Sequence, residues 1–363
     1  MEGILSEPPK KPSQLWIVLP VYYDVASFSR LRTNILNSLQ HSTNEAWSES
    51  RVQFVVVDDS GGNDPQIRSL HEHEDTFVLT PPFNLGHQRA IVFGLRKIAP
   101  WVHEADCVVT MDSDGEDRPE DLPAMLRMLL SPGEEENLKR LVLAKRTKRQ
   151  ESLWFRLFYV FFKFFFRMLT GTVVKTGNYA AFRGWFAQHI IYHPNFDLCY
   201  SSGLFAMGMQ PAFVPCPRGE RYEGQSKMNL VSLTMHGLRM LMPFVDRIAI
   251  RSLMGFFIVL ALSVVGTIGG LVNYFILGTA FPDWGIQLIV VLSILSMVAL
   301  GNFLVLFTSF SQSRGLSLNR LEGVTPQFGH DDASMNDLKR RAQKSTANDE
   351  ALGQNRPGLD GSH

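Results

Sequence analysis

An acidic cluster with the spacing of a cation site follows a short apolar run near the middle of the chain. Met111 is followed by Asp112, Asp114 and Glu116 at alternate positions. Alternate side chains of an extended segment lean to the same side, so Asp112 and Asp114 can face one hard divalent cation, with Glu116 as a third oxygen ligand. Mg²⁺ or Mn²⁺ held in this way usually completes its shell with phosphate oxygens and water. A solvated acidic loop is the alternative for an isolated pair of this kind.

Two other apolar segments, residues 15–19 and 52–57, also end in residues suited to binding. Acidic side chains at neighbouring strand ends repel one another unless a cation or a donor-rich ligand lies between them. Their repetition therefore favours metal and phosphate chemistry over a solvated loop. The residues that follow the two segments are Pro20, Tyr22 and Asp24 after the first, and Asp58 and Asp59 after the second.

The elements that carry these residues alternate between strand and helix. Short runs rich in valine and isoleucine predict strands buried on both faces, and stretches with helical spacing of apolar residues lie between them. This alternation predicts an α/β fold with a doubly wound sheet, in which ligands bind beyond the carboxyl ends of the strands. The predicted strands are 15–19, 52–57, 77–79, 107–111 and 141–143, and the predicted helices are 26–40, 85–99 and 119–130.

A membrane segment follows this domain. Residues 252–313 contain one charged side chain, Asp283, and two uncharged runs, 253–277 and 284–310, each exceed the roughly 20 residues that cross a bilayer. They predict a two-helix transmembrane hairpin; a buried pair of helices in a soluble protein is the alternative. Lys and Arg precede the first run and follow the second, and the connecting turn has none. The positive-inside rule then places both termini and the large domain on the cytoplasmic side, as expected of an inner or plasma membrane protein.

The flanking segments complete the expected organisation. The α/β domain is predicted over 14–227, a juxtamembrane region over 228–251 and the hairpin over 252–313. The N-terminal tail, 1–13, is polar and has no apolar core of a signal peptide. The tail over 314–363 is polar and is expected to be disordered.

Residues 151–171 form an aromatic segment with a basic stripe. Arg156, Lys163 and Arg167 are seven and four residues apart, so they fall on one side of a helix whose remaining surface is apolar. Such a helix can lie in the headgroup layer of a lipid bilayer with its cations toward phosphates. A core helix is the alternative, because aromatic runs are commonly buried.

The overall charge excludes one large class of function. The chain has 35 Lys and Arg against 35 Asp and Glu, so it lacks the clustered basic excess that nucleic-acid binding requires. Its three cysteines form no disulfide framework and no paired metal motif.

The ordered set of motifs resembles a known family. LPVYYD, VVVDDSGG, NLGHQRAIVFGL and MDSDGEDRPEDL resemble the family 2 glycosyltransferases of the GT-A fold, and more narrowly the polyprenyl-phosphate sugar synthases. A later segment from Arg221 to Lys227 is similar to the R-x-x-G-x-S-K signature of that subfamily. The resemblance covers roughly residues 14–315. It implies a GT-A nucleotide-sugar domain, a UDP- or GDP-sugar donor, a polyprenyl phosphate acceptor, and Mg²⁺ or Mn²⁺ as cofactor.

The resemblance also assigns roles to individual residues. The nucleotide would contact the ends of the first two strands and a loop after the third strand. Within that loop, a residue that only forms the turn is the alternative for Gly86. The metal on Asp112 and Asp114 would stabilise the departing nucleoside diphosphate. The nucleotide-binding residues are then Pro20, Tyr22, Asp24, Asp58 or Asp59, Asn84, Gly86 and Arg89.

Basic residues would complete the site. Arg146 matches an arginine that the family places near the phosphates. Arg221 and Lys227 would flank the diphosphate or the acceptor phosphate, although an exposed basic loop is the plain alternative. Ser226 would add a supporting hydroxyl group for the acceptor lipid.

One segment departs from the family pattern. Many relatives have G-D-F-R where this chain has Gly177-Asn178-Tyr179-Ala180, and an amide cannot act as a base. We interpret the change as tolerable because a lipid phosphate is already ionised at neutral pH; substitution by Lys175 or Arg183, or a different sugar or acceptor, are the alternatives.

Two competing functions share these features. A processive polysaccharide synthase has the same fold but carries a Q-x-x-R-W motif and more membrane spans. A non-catalytic membrane scaffold with a degenerate transferase domain would explain Asn178 but not the intact Asp112 and Asp114 pair. The glycine-containing spans are compatible with a homo-oligomer.

Overall fold

The structure is a computed structural model that describes residues 12–41, 45–131, 139–146, 153–172, 176–223, 230–276, 278 and 283–313. The chain divides into two compact units. The first comprises Met1–Arg149, Lys175–Met228 and Leu318–His363, and the second comprises Gln150–Val174 and Asn229–Ser317.

The described elements confirm the predicted alternation of strands and helices. The strands are β1 (Gln14–Val21), β2 (Arg51–Asp58), β3 (Thr76–Leu79), β4 (Cys107–Thr110), β5 (Leu141–Arg146), β6 (Thr176–Arg183) and β7 (Ala212–Cys216). The helices are α1 (Val25–Gln40), α2 (His87–Ile98), α3 (Leu122–Leu130), α4 (Leu153–Thr170), α5 (Gly184–His189), α6 (Asn195–Leu198), α7 (Tyr200–Ala206), α8 (Leu230–Leu241), α9 (Val245–Phe275) and α10 (Asp283–Ser313). Short 3₁₀ helices cover Pro65–Glu72, Pro119–Asp121 and Met242–Phe244.

The seven strands form one mixed sheet in the order β3-β2-β1-β4-β6-β5-β7. β1 is parallel to both β2 and β4, and β3 is parallel to β2, so the carboxyl ends of these strands meet at one edge. β6 is antiparallel to β4, with Ala180 opposite Thr110. Because β6 runs in the reverse direction, its first half, including Asn178, lies at the same edge as the carboxyl end of β4.

Apolar side chains bury both faces of the parallel strands. β1 is buried along its whole length, and α1 and α3 pack on one face of the sheet around Phe28, Ile35 and Met125. On helix α2, a Cβ atom at Gly94 would lie 2.7 Å from Val57 and 2.8 Å from Val18. Glycine therefore lets α2 lie close against β1 and β2, which brings its N-terminus to the edge where the strands end.

Buried polar groups join the strands at the opposite edge. Asp106, fully buried before β4, accepts hydrogen bonds from the Ser13 hydroxyl, the Gln14 backbone N–H and the Trp16 indole, at 2.9, 3.1 and 3.2 Å. These bonds connect the start of β1 to the start of β4. The three cysteines of the chain, Cys107, Cys199 and Cys216, are buried and unpaired.

The second unit contains α4, α8, α9 and α10. α9 and α10 pack along each other, with the Ser263 and Ser293 hydroxyl oxygens 3.1 Å apart. The ring of Phe166 in α4 packs edge-on against Phe244, which precedes α9, with ring centres 5.6 Å apart. Arg251 of α9 donates a hydrogen bond to the backbone carbonyl of Met168.

Two helical segments are long and apolar enough to cross a membrane. They are Thr234–Phe275 and Asp283–Thr308, with mean hydropathies of 2.3 and 2.5. Only 17% and 6% of their most apolar windows are buried, which is unlike the core helix of a soluble protein. The predicted run 253–277 lies in α9 as far as Phe275, and the predicted run 284–310 lies within α10. The predicted tail over 314–363 lies outside the described residues, as does most of the tail over 1–13.

Candidate active site

Two buried carboxylates order the loops after β2 and β3: Asp58 bonds within its own loop, and Asp59 joins that loop to the next one. Asp58 accepts hydrogen bonds from the backbone N–H and hydroxyl of Ser60, at 3.0 and 2.6 Å, and from the Gly62 N–H at 3.2 Å. Asp59 accepts one from the Leu85 N–H at 2.8 Å. Burial raises the pKa of Asp59, although these backbone bonds oppose the shift. Both residues therefore fix the conformation of these loops, and their contact with a nucleotide stays a prediction.

Aromatic side chains lie at the end of β1. Pro20 is buried within the strand, whereas Tyr22 and Tyr23 are each nearly half exposed and meet edge to face, with ring centres 4.8 Å apart. Tyr23 has a φ of 51°, a left-handed backbone conformation that costs a non-glycine residue energy. Asp24 follows and precedes α1. The strained turn directs exposed rings to the edge where the nucleotide is predicted to bind.

A glycine turn leads into α2. The Asn84 side chain accepts a hydrogen bond from the Gly86 N–H at 2.9 Å, and Gly86 has a φ of 78°. This conformation favours glycine, so Gly86 has the turn role that its sequence context suggested. The helix then begins with His87, and Arg89 lies half-buried in its first turn.

The acidic cluster lies at the end of β4 and is joined by residues of two other elements. Asp112 Oδ1 is 2.9 Å from His87 Nε2 of α2 and 3.0 Å from Asn178 Nδ2 of β6. Asp117 accepts a hydrogen bond from the Asp112 N–H at 3.0 Å and lies 3.3 Å from the Arg146 guanidinium at the end of β5. The structure thus brings the predicted residues Asp112 and Arg146 into one cluster.

The carboxylates of this cluster carry excess negative charge. Burial, together with the charge of Asp112, raises the pKa of Asp117 to about 7 and that of Asp114 to about 6. Burial also opposes ionisation of Asp112, but the charge and hydrogen bond of His87 outweigh it and hold the pKa of Asp112 below its usual range. Crowded carboxylates of this kind are stabilised by a cation.

Two arginines from the segment after β7 form ion pairs with carboxylates of the acidic cluster. Arg221 lies 2.7 Å from Asp114 and 3.4 Å from Glu116, and Arg218 lies 2.5 Å from the other oxygen of Glu116. The Tyr222 N–H donates to the Asp114 backbone carbonyl at 2.8 Å. Glu116, predicted as a third metal ligand, thus pairs with both arginines.

Within the described residues, no group of three or more Asp, Glu, His or Cys side chains is arranged so that it could hold a metal ion by itself. The two carboxylates predicted to hold a cation, Asp112 and Asp114, both follow β4 closely. Because Mg²⁺ is commonly bound by one or two carboxylates with water and phosphate oxygens, these residues fit a divalent cation whose remaining ligands are water or phosphate oxygens.

Several predicted residues lie elsewhere or outside the described residues. Lys227 and Ser226 lie outside them, as does the side chain of Arg156 in α4. Lys163 and Arg167 are exposed on α4 in the second unit. Of the alternatives for Asn178, Arg183 does not fit: it is 3% exposed and contacts Cys107, at the opposite end of β4 from Asp112.

Sequence reasoning missed three residues of the cluster. Asp117 stood in the acidic run, and His87 and Gln88 stood in the NLGHQR motif, but none was assigned a role. Asn178, recognised as a departure from the family pattern, was the available signal, because a buried amide needs partners for each of its polar atoms. Its Oδ1 atom lies against Gln88 and its NH₂ group against Asp112, and His87 Nε2 lies beside the same NH₂ group.

Comparison with known proteins gives a domain family. Residues 16–183 match the model described as Glycosyl transferase family 2. Among curated proteins, the undecaprenyl-phosphate 4-deoxy-4-formamido-L-arabinose transferase of Proteus mirabilis is 25% identical over 240 residues, which cover 62% of this chain. The chain spans 65% of the length of that relative.

Two solved structures are distantly similar. A mannosyltransferase from Pyrobaculum calidifontis, determined in complex with GDP-Man and Mn²⁺, is 14% identical with a TM-score of 0.38, covering 94% of this chain and 90% of that one. A 4-diphosphocytidyl-2C-methyl-D-erythritol synthase is 12% identical with a TM-score of 0.34, covering 62% of this chain and 99% of that one.

Proposed function

Since residues 16–183 are a glycosyl transferase family 2 domain, we propose that this chain transfers a sugar from a UDP- or GDP-sugar to a polyprenyl phosphate. The observation that carries the proposal is the acidic cluster of Asp112, Asp114 and Asp117 at the end of β4, in a chain that also has two candidate membrane spans. The Proteus mirabilis relative is an undecaprenyl-phosphate 4-deoxy-4-formamido-L-arabinose transferase, which supports the acceptor class.

A divalent cation is part of the proposal. Asp112 and Asp114 would hold Mg²⁺ or Mn²⁺, whose charge would stabilise the departing nucleoside diphosphate. The chain's own basic residues assist: Arg146 lies against Asp117, and Arg221 lies against Asp114, so both are near any diphosphate bound at this cluster. Guanidinium groups suit that role because they bind phosphate oxygens in a bidentate manner.

The acceptor requires little activation by the protein. A phosphate monoester has a second pKa of about 6, so it is largely ionised at neutral pH and can attack the anomeric carbon in an inverting displacement. A strong general base is therefore not required, which agrees with an uncharged amide at Asn178.

The second unit supplies a surface suited to the lipid. On α4, Phe164 is 63% exposed and Met168 is 49% exposed, and Lys163 and Arg167 are exposed with them. Exposed apolar and basic side chains on one helix are typical of an interfacial element. We therefore keep the proposal that α4 lies in the headgroup layer, with the catalytic domain and both termini on the cytoplasmic side.

Release of nucleoside diphosphate by the purified full chain in detergent tests this function. The assay contains undecaprenyl phosphate, Mn²⁺ or Mg²⁺, and one member at a time of a panel of UDP- and GDP-sugars. Release that depends on both one donor and the lipid is expected. Equal release without the lipid would contradict the proposed acceptor. If no donor in the panel gives release although the protein still binds nucleotide, a non-catalytic scaffold is favoured.

Substitution of Arg221 by glutamine is expected to have two opposite effects. Mn²⁺ alone should bind several-fold more tightly, because the guanidinium no longer neutralises Asp114 and Glu116. The KM for the nucleotide-sugar should rise about tenfold, because a charged hydrogen bond to the diphosphate is lost. Electron paramagnetic resonance titration of Mn²⁺ and steady-state kinetics measure the two effects. Arg218→Gln is the control, since Arg218 pairs with Glu116; a weaker Mn²⁺ affinity in Arg221→Gln would contradict this account.

A further inference from the structure

Gln88 connects the acidic cluster to the start of helix α7. Its Oε1 atom lies 2.9 Å from the Ser201 backbone N–H and 3.4 Å from the Cys199 thiol. Its Nε2 atom lies 2.5 Å from Asn178 Oδ1, and Asn178 Nδ2 lies 3.0 Å from Asp112 Oδ1. We call the residues Ser201, Gln88, Asn178 and Asp112 the amide relay.

The direction of each hydrogen bond in the amide relay follows from its first member. A backbone N–H can only donate, so the atom of Gln88 that faces Ser201 is the carbonyl oxygen. Gln88 therefore presents its NH₂ group to Asn178, which must accept with Oδ1 and point its own NH₂ group at Asp112. The orientation of the Asn178 amide is therefore set by the Ser201 N–H of helix α7 through Gln88.

The backbone of Asn178 is fixed from the same segment. The Thr110 hydroxyl donates to the Asn178 carbonyl at 2.6 Å, so the Tyr200 hydroxyl, 2.8 Å from Thr110 Oγ1, is the donor in that pair. Tyr200 and Thr110 are fully buried, and Asn178 is 7% exposed. Residues 199–201 thus hold both the main chain and the side chain of Asn178.

We propose that Gln88 is a positioning residue that, through Asn178, fixes the carboxylate of Asp112 for the divalent cation. This proposal rests on the proposed function, since it concerns the same cation. Outer hydrogen-bond partners of a ligating carboxylate orient it, and their loss typically weakens metal binding about 10- to 100-fold.

The amide relay gives the departure at residue 178 a physical reason. A carboxylate at this position would set a second negative oxygen about 3.0 Å from Asp112 and could not donate to it. With Gln88 donating from the other side, an amide satisfies both Gln88 and Asp112, and His87 Nε2 lies beside the same NH₂ group. Asn178 and Gln88 are therefore a matched pair rather than a degenerate version of an acidic site.

Mn²⁺ binding to the full chain in detergent, without nucleotide or lipid, tests the role of Gln88. Gln88→Leu removes the donor and the acceptor, and Gln88→Glu keeps an acceptor for Ser201 but removes the donor to Asn178. Both are expected to raise the Mn²⁺ dissociation constant about tenfold, measured by electron paramagnetic resonance. Transferase activity at saturating Mn²⁺ should recover toward the wild-type value, because the cation site is weakened rather than lost.

Gln188→Leu is the matched control. Gln188 lies in α5 and donates from its side chain to the Val102 carbonyl at 2.6 Å, so it has a similar structural bond outside the acidic cluster. A Gln88 variant that binds Mn²⁺ as the wild type does would overturn the proposal, as would a loss matched by Gln188→Leu. Asp114→Ala separates this failure from the wider one: if it also binds Mn²⁺ normally, the proposed cation site itself is wrong.

Discussion

Asp114→Ala is expected to lower lipid-dependent release of nucleoside diphosphate by about 100- to 1,000-fold. The charge of a bound cation is worth several kcal/mol to a departing diphosphate, and each 1.4 kcal/mol or so is a factor of ten in rate. Removing Asp114 leaves one of the two carboxylates that would hold the ion and leaves Arg221 beside Glu116. The same assay with the preferred sugar donor measures the loss, and Asp112→Ala should behave alike.

Glu72→Ala is the control for this experiment. Glu72 is an exposed carboxylate at the end of the 3₁₀ helix Pro65–Glu72, outside the cluster. Its loss should leave the rate unchanged. If Asp114→Ala keeps more than a tenth of the wild-type rate while its thermal midpoint is unaltered, a cation at Asp114 has no part in catalysis.

Arg96→Met is expected to lower the free energy of unfolding by about 3–5 kcal/mol, the usual cost of breaking a buried ion pair. Arg96 of α2 lies 2.5 Å from Asp197 of α6, and their side chains are 3% and 7% exposed. Arg96 also donates to the Ile191 carbonyl at 3.2 and 3.0 Å. The substitution leaves a buried carboxylate unpaired, so the thermal midpoint of the first unit should fall by roughly 10 °C.

Arg32→Met is the matched comparison. Arg32 pairs with Asp75 through two hydrogen bonds, but the two side chains are 20% and 24% exposed. Water can replace the lost partner there, so the expected loss is only about 1 kcal/mol. The double variant Arg96→Met, Asp197→Leu should recover most of the stability lost in Arg96→Met. Equal midpoints for Arg96→Met and Arg32→Met would show that burial does not govern these pairs.

The part of the fold with regular periodicity was predictable from the sequence. β1, β2 and β4 are continuous apolar runs because both faces of the parallel sheet are covered, and α1 and α2 have helical spacing because one face packs on it. β6 was not predicted. Its sequence, TGNYAAFR, mixes glycine, asparagine and alanine, and its strand conformation depends on pairing with β4 and β5.

The site was predictable to the same extent. Asp112 was found because it directly follows a buried strand, a relation that lies within a few residues of sequence. His87 and Gln88 meet Asn178 across about ninety positions, through the reversed direction of β6 and the close approach of α2 at Gly94. The local sequence predicts neither the direction of β6 nor the close approach of α2, so the partners of Asn178 could be identified only from the structure.

All three cysteines are buried, so we expect thiol reagents to label the native chain only weakly. Burial raises the pKa of Cys107 and Cys216 to about 12, so these thiols stay protonated and inert toward maleimides at neutral pH. A cysteine introduced at the exposed position Glu72, or at exposed Asp283 where α10 begins, then supplies the reactive group. A charged maleimide cannot cross the bilayer of a sealed vesicle. If the hairpin has its expected orientation, the reagent on one side of the bilayer labels only one of the two cysteines, and the reagent on the other side labels only the other. The sidedness of this protein can thus be mapped without first replacing its own cysteines.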